Sequence, residues 1–170
     1  MDMRKLMRSS ATCFSMYSRI PMPRTKWEED SMRYVFCFFP LIGLVIGILE
    51  TGWFWIARQL EISSLLYVSV AVVLPILVTG GIHLDGYMDT CDALFSYGDR
   101  EIKLEIMKDS HTGAFAVIYC GVYLLLSAGF YSGLYQSGSW IHIAVVGIGY
   151  LLSRTICGLA TVWLPCAKNS

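Results

Sequence analysis

The chain has 170 residues, 55% of them hydrophobic and 15% charged, with a mean hydropathy of +0.55 and no formal net charge. A soluble domain carries about a quarter charged residues, so this composition is that of a membrane protein. Zero net charge supplies no basic field for nucleic acid, and six scattered cysteines without a CxxC point to neither a zinc site nor a disulfide framework.

Residues 1–33 carry Arg4, Lys5, Arg8, Arg19, Arg24, Lys26 and Arg33. They lack an apolar core followed by a small-residue cleavage site, so no signal peptide is read here. Leu6, Met7, Phe14, Met16 and Tyr17 predict a weakly amphipathic helix lying on the membrane face. Pro21 and Pro23 break it. Residues 34–57 form the first predicted span, long enough for a hydrocarbon core of roughly 30 Å. Glu50 lies inside it, and an acid at that depth faces the bundle interior or water. Residues 62–82 hold no charge and form the second span, joined to the first by a short link with Arg58 and Glu61. Residues 113–153 contain no Asp, Glu, Lys or Arg, too long a run for one span. Gln136-Ser-Gly-Ser139 is the natural break, giving spans near 114–135 and 141–164, with Arg154 inside the last. Lys and Arg flank the spans unequally: seven before the first, three in 83–112, one in the first link and none in the last. The positive-inside rule then places the N-terminus, the acidic stretch and the C-terminus in the cytoplasm. The predicted fold is all-α: a polytopic transmembrane helical bundle of about four spans, with an N-terminal interfacial helix and a cytoplasmic acidic helical segment. Residues 1–170 read as one integral membrane domain, with 80–113 at its cytoplasmic edge.

That acidic segment is where the chemistry concentrates. Seven of the 13 acidic residues fall between Asp85 and Asp109. On a helix Asp85, Asp89 and Asp92 share one face, and Ser96 extends it. At roughly 6 Å and an effective dielectric near 20, each pair of carboxylates repels by about 3 kcal/mol before screening. A divalent cation reverses that balance. Magnesium is commonly held by one or two carboxylates together with substrate phosphates. The plainer reading is a solvated acidic helix. Gly80, Gly81 and Gly86 favour the functional one by permitting close approach of backbone or substrate. His83 lies beside the acids, as a base or hydrogen-bonding partner, although an ideal helix points it almost opposite to Asp85. Glu105 and Asp109 form a second i, i+4 pair that runs into Ser110-His111-Thr112-Gly113, a helix end or a phosphate-cradling turn. Glu105 reads more simply as a solvated partner of Lys103 or Lys108, and His83 and His111 each as structural hydrogen-bonding residues. His142 sits at the non-cytoplasmic end of the last span. Arg154, costing about 2.5–3.5 kcal/mol at a span centre, either pairs with an acid such as Glu50 or binds an anion.

The run Gly80-Gly-Ile-His-Leu-Asp-Gly-Tyr-Met-Asp-Thr-Cys-Asp92, followed by Glu105-Ile-Met-Lys-Asp-Ser110, resembles the signature of cobalamin 5′-phosphate synthase, also called adenosylcobinamide-GDP ribazoletransferase. Arg19-Ile-Pro-Met-Pro23, Phe39-Pro-Leu-Ile-Gly43 and Pro165-Cys-Ala-Lys-Asn169 are similar to its other landmarks, so the resemblance runs the whole length. It implies a multi-pass enzyme of the prokaryotic inner membrane that uses magnesium. Such an enzyme joins adenosylcobinamide-GDP to α-ribazole or its 5′-phosphate, releasing GMP late in cobalamin biosynthesis. The lipid bilayer is the other implied partner, nucleic acid is not one, and nothing excludes an oligomer. Carried over, Asp85, Asp89, Asp92 and Asp109 are the implied magnesium ligands, with Asp85 or His83 taking the proton. Arg19, Lys108, Ser110, Arg154, Lys168 and Asn169 are the implied substrate and phosphate contacts. Family members are longer, so the chain reads as a fragment lacking C-terminal spans. Ala116 stands where members often carry glycine, read as a packing change. Two rival classes are weighed: another membrane transferase of the CDP-alcohol or prenyl type, whose signatures the DxxxDxxD spacing fits poorly, and a divalent-cation carrier, whose acids belong at mid-membrane.

Overall fold

The computed structural model describes residues 3–23 and 34–164. Among them are seven α-helices: α1 (Met3–Tyr17), α2 (Val35–Gln59), α3 (Ser64–Thr79), α4 (Ile82–Phe95), α5 (Arg100–Ile106), α6 (Ala114–Ser137) and α7 (Trp140–Trp163). The all-α expectation holds, with strands absent among the described residues. Three helices, α2, α6 and α7, are long and apolar enough to cross a membrane, and a fourth crossing follows if the bent pair α3 and α4 counts as one. Their exposed side chains are apolar: Leu125 on α6 is 76% exposed and Ile156 on α7 65%. Surface of that kind calls for lipid as its solvent.

The chain divides into two compact units. The first comprises residues 1–62 and 138–170, and so holds α1, α2 and α7. Helices α2 and α7 run antiparallel along their length. A Cβ on Gly47 would stand 2.7 Å from the Gly147 backbone, and one on Gly43 would overlap the Tyr150 carbonyl. Toward the two ends, Gly138 faces the Arg58 guanidinium and Gly158 faces Phe36 and Phe39. Small residues thus let the two backbones touch, as membrane helices do when no hydrophobic driving force separates helix from lipid. In this register Arg154 stands nearer the start of α2 and Glu50 nearer the start of α7. Glu50 is fully buried, on a stripe with Ile42, Ile46 and Phe54.

Helix α1 forms as expected, but a different face is covered. Ser9, Thr12, Cys13 and Phe14 are buried, whereas Met3 and Met7 are 71% and 69% exposed. Small side chains let α1 approach α2 closely, and Tyr17 then meets Phe39 edge-on at 4.8 Å. Burial pushes the Cys13 thiol up to about 12.

The second unit is residues 63–137, from α3 to α6. Ser63 caps α3 by accepting from the Leu66 N–H. The predicted second span, 62–82, is cut short. Gly80 and Gly81 both take positive φ, 66° and 83°, and α4 leaves at 94° to α3. Two adjacent glycines reach this left-handed region without the clash a Cβ creates. Helix α6 is the spine of this unit. Tyr67 of α3 stacks on Tyr135 at 4.3 Å, while Phe95 of α4 stacks on Tyr119 at 4.2 Å and Tyr87 tilts against Tyr123.

Candidate active site

The acidic stretch is not one segment but two helices and a turn. Because α4 is helical throughout, Asp85, Asp89 and Asp92 do share a face. Their surroundings grade along it. Asp85 lies exposed in the first turn, where the helix dipole favours an acid. Asp89 is half-exposed, and Asp92 is only 8% exposed. Desolvation first, and then the charges of Asp85 and Asp92, hold the Asp89 carboxyl above the ordinary carboxylate value. A cation placed on this face would relieve that repulsion. A Cβ added at Gly86 would meet nothing within 4 Å, so the helix surface beside the first two acids is open at that position. His83 is half-buried on the same helix, two residues before Asp85.

Asp92 has a different environment. Its Oδ2 accepts from the Gly113 N–H at 2.7 Å and its Oδ1 from the Ala116 N–H at 2.9 Å. Both donors belong to the start of α6, where the first backbone N–H groups of a helix have no partner of their own. A residue 21 positions back supplies that cap.

Helix α5 begins at Asp99, whose side chain accepts from the Glu101 and Ile102 N–H groups at 3.1 and 3.0 Å. It ends at Ile106, so Glu105 and Asp109 do not form the second helical acid pair that their spacing suggested. Asp109 sits in the turn that follows. It accepts from the His111 backbone N–H at 3.1 Å and lies 2.6 Å from the His111 ring Nδ1. These bonds hold the Asp109 carboxyl below its ordinary value, and Asp109 in turn holds the His111 imidazole above its own. Lys108 and Ser110 flank Asp109 and are exposed.

The second unit thus contains His83, Asp85, Asp89, Asp92, Lys108, Asp109 and Ser110. Arg19, exposed, and Arg154, half-buried on α7, belong to the first unit. Lys168 and Asn169 lie outside the described residues, as do Arg24, Lys26 and Arg33. Among the described residues no three His, Cys, Asp or Glu side chains converge on one ion position. Two carboxylates are a donor set of the kind magnesium takes when waters and phosphates complete its shell, and Asp85 and Asp89 are the less buried pair on this face. The capping role of Asp92 and the matching role of Gly113 went unread from sequence. No signal in the sequence pointed to it, since Asp109, Ser110 and Thr112 stand beside that helix start as local candidates for the cap.

The family described as cobalamin-5-phosphate synthase matches residues 9–170. An adenosylcobinamide-GDP ribazoletransferase of Lachnoclostridium phytofermentans is 46% identical over 166 residues, 98% of this chain and 62% of that protein. One of Clostridium perfringens is 40% identical over 145 residues, covering 85% of this chain and 57% of that protein. A third, of Desulfitobacterium hafniense, is 35% identical over 169 residues, 95% of this chain and 64% of that protein. The chain therefore spans about three fifths of the length of these curated relatives. No solved structure matches.

Proposed function

Since the chain belongs to the cobalamin-5-phosphate synthase family, we infer that it is the acid-bearing part of a membrane transferase that joins adenosylcobinamide-GDP to α-ribazole, or to its 5′-phosphate, and releases GMP. The observation that carries this reading is the 46% identity to a ribazoletransferase across 98% of the chain. The open acidic face of α4 supplies chemistry to match. An acid pair on a helix turned 94° away from α3 suits a site at a membrane boundary. It weighs against a cation carrier, whose acids belong inside a span.

In the proposed reaction a ribose hydroxyl oxygen bonds to the phosphorus on the cobinamide side of the pyrophosphate. The bridging P–O bond to GMP breaks, and the hydroxyl proton passes to Asp85 or His83. Phosphoryl transfer of this kind depends on positioning and charge stabilisation more than on covalent help. Asp85 and Asp89 would hold magnesium, which when bound neutralises the pyrophosphate oxygens and the charge that grows on the leaving GMP. Lys108 and Ser110, exposed beside the Asp109 turn, would meet phosphate oxygens. The bilayer would restrict how the bulky corrinoid approaches. The site faces the cytoplasm in this reading, and the membrane is the prokaryotic inner membrane.

The test is to supply membranes bearing the full-length protein that contains this chain with labelled adenosylcobinamide-GDP and α-ribazole and to follow GMP release. Asp85→Asn and Asp89→Asn should each lower turnover by about two orders of magnitude or more, given that metal-assisted charge stabilisation is worth several kcal/mol. Glu101→Gln, outside the acid face, should be nearly silent. Absence of coupled product would sink the transferase reading. Near-normal rates in both aspartate variants, with unchanged magnesium dependence, would sink the acid pair.

A further inference from the structure

Three carboxylates share the face of α4, and the expectation that they act alike rests on spacing alone. Their contacts divide them. Asp85 is exposed and Asp89 half-exposed, whereas Asp92 is 8% exposed with each oxygen accepting a backbone N–H from the start of α6. A carboxylate at a helix N-terminus is stabilised by the donors it caps and by the positive end of the dipole. Its charge is therefore compensated by two backbone donors in a buried setting, whereas Asp85 has only the dipole of its own helix. Gly113 is fitted to the same contact. A Cβ added there would lie 2.6 Å from Asp92 Oδ1 and 2.8 Å from Oδ2. The chain between Asp92 and Gly113 contains α5 and the Asp109–His111 turn, so the contact closes a loop of 21 residues. Around it Phe95 stacks on Tyr119 and tilts against Phe115, fixing α4 to α6 on the side next to the clasp.

We propose that Asp92 is a positioning residue and not a ligand: its carboxylate clasps the N-terminus of α6 and so holds the Asp109–His111 turn at the helix that carries Asp85 and Asp89. This goes beyond the transferase reading, and only the metal arm of its test rests on that reading. Asp92→Asn keeps the shape of the side chain but has one acceptor where two are needed. Gly113→Ala leaves every carboxylate in place and displaces the clasp by sterics.

Hydrogen exchange of the protein in lipid nanodiscs decides the clasp. In both variants the Gly113 and Ala116 amides should exchange about tenfold faster or more, as losing charge-assisted hydrogen bonds predicts. Asp85→Asn and Asp89→Asn should leave those amides unchanged. The double variant Asp92→Asn/Gly113→Ala should be no worse than the worse single, because both break one contact. Manganese binding then separates positioning from ligation. Asp85→Asn and Asp89→Asn should weaken it, while Asp92→Asn and Gly113→Ala leave it nearly unchanged. In the wild-type protein bound manganese should broaden the His111 imidazole signals, and that broadening should diminish in the two clasp variants. Unchanged amides in Asp92→Asn overturn the proposal. So does manganese affinity falling as far as in Asp85→Asn, or undiminished His111 broadening. If the wild-type chain binds no manganese, the acid-pair reading fails, and the clasp stands or falls on the amides.

Discussion

Replacing Gly47 with alanine places a methyl group where α2 and α7 touch. The added Cβ would stand 2.7 Å from the Gly147 Cα and carbonyl oxygen, and ordinary contact begins near 3.4 Å. The obstacle is backbone on both sides, so no side chain can swing away. The helices must part by about 0.7 Å, and a gap of that order forfeits a quarter to a half of each dispersion contact along the seam. Overpacking of this sort costs about 1–3 kcal/mol. Gly52 lies on the same helix with nothing within 4 Å of its would-be Cβ, so Gly52→Ala is the matched control. Both substitutions gain the same alanine helix propensity, about 1 kcal/mol, and that gain cancels in the comparison. Gly47→Ala should therefore be less stable than Gly52→Ala by about 1–3 kcal/mol. Unfolding in rising SDS fraction, followed by helical circular dichroism and by the fluorescence of Trp53, Trp55, Trp140 and Trp163, measures the difference. Agreement of the two variants within about 0.5 kcal/mol, the usual scatter for independent sites, would refute the close seam.

The turn that carries Asp109 should depend on pH in both directions. Its imidazole is raised, so the His111 contribution is complete below the ordinary histidine value and is lost as pH rises through the raised one. Its carboxyl is lowered, so the Asp109 contribution is present above the ordinary carboxylate value and is lost as pH falls through the lowered one. Protection of the residue-111 amide should hence be greatest between those limits, and in His111→Ala the loss at rising pH should vanish while the loss at falling pH remains, because the backbone N–H still donates to Asp109. A His111 imidazole titrating at its ordinary value would contradict the pairing. Topology is checked with a cysteine-free protein. Helix α6 rises about 36 Å over its 24 residues, so cysteines at Ser96 and Ser137 should label from opposite sides, Ser96 from the cytoplasm. Labelling of both from one side would remove α6 from the membrane, and the reverse pattern would invert the orientation.

Much of this architecture was legible in composition and periodicity. Long, predominantly apolar runs mark α2, α6 and α7 because a bilayer core tolerates little else over that length. The Gln136–Ser139 break was found for the same reason, since polar and glycine residues interrupt an otherwise continuous apolar chain. The i, i+4, i+7 spacing of Asp85, Asp89 and Asp92 fixed a common face as soon as α4 was helical, because the helical repeat is local. Contacts between distant residues were decided by the tertiary structure. The 94° turn at Gly80-Gly81 needs two left-handed residues, and glycine permits that conformation without requiring it. The α2–α7 register is a second such case, because it is set by where Gly43 and Gly47 let the backbones meet. The buried face of α1 is Ser9, Thr12 and Cys13 in place of its methionines, since close helix approach favours small side chains over large apolar ones. Asp92 shares its spacing with Asp85 and Asp89 and is set apart by its burial and by Gly113 and Ala116, whose N–H groups fold back from more than twenty residues away.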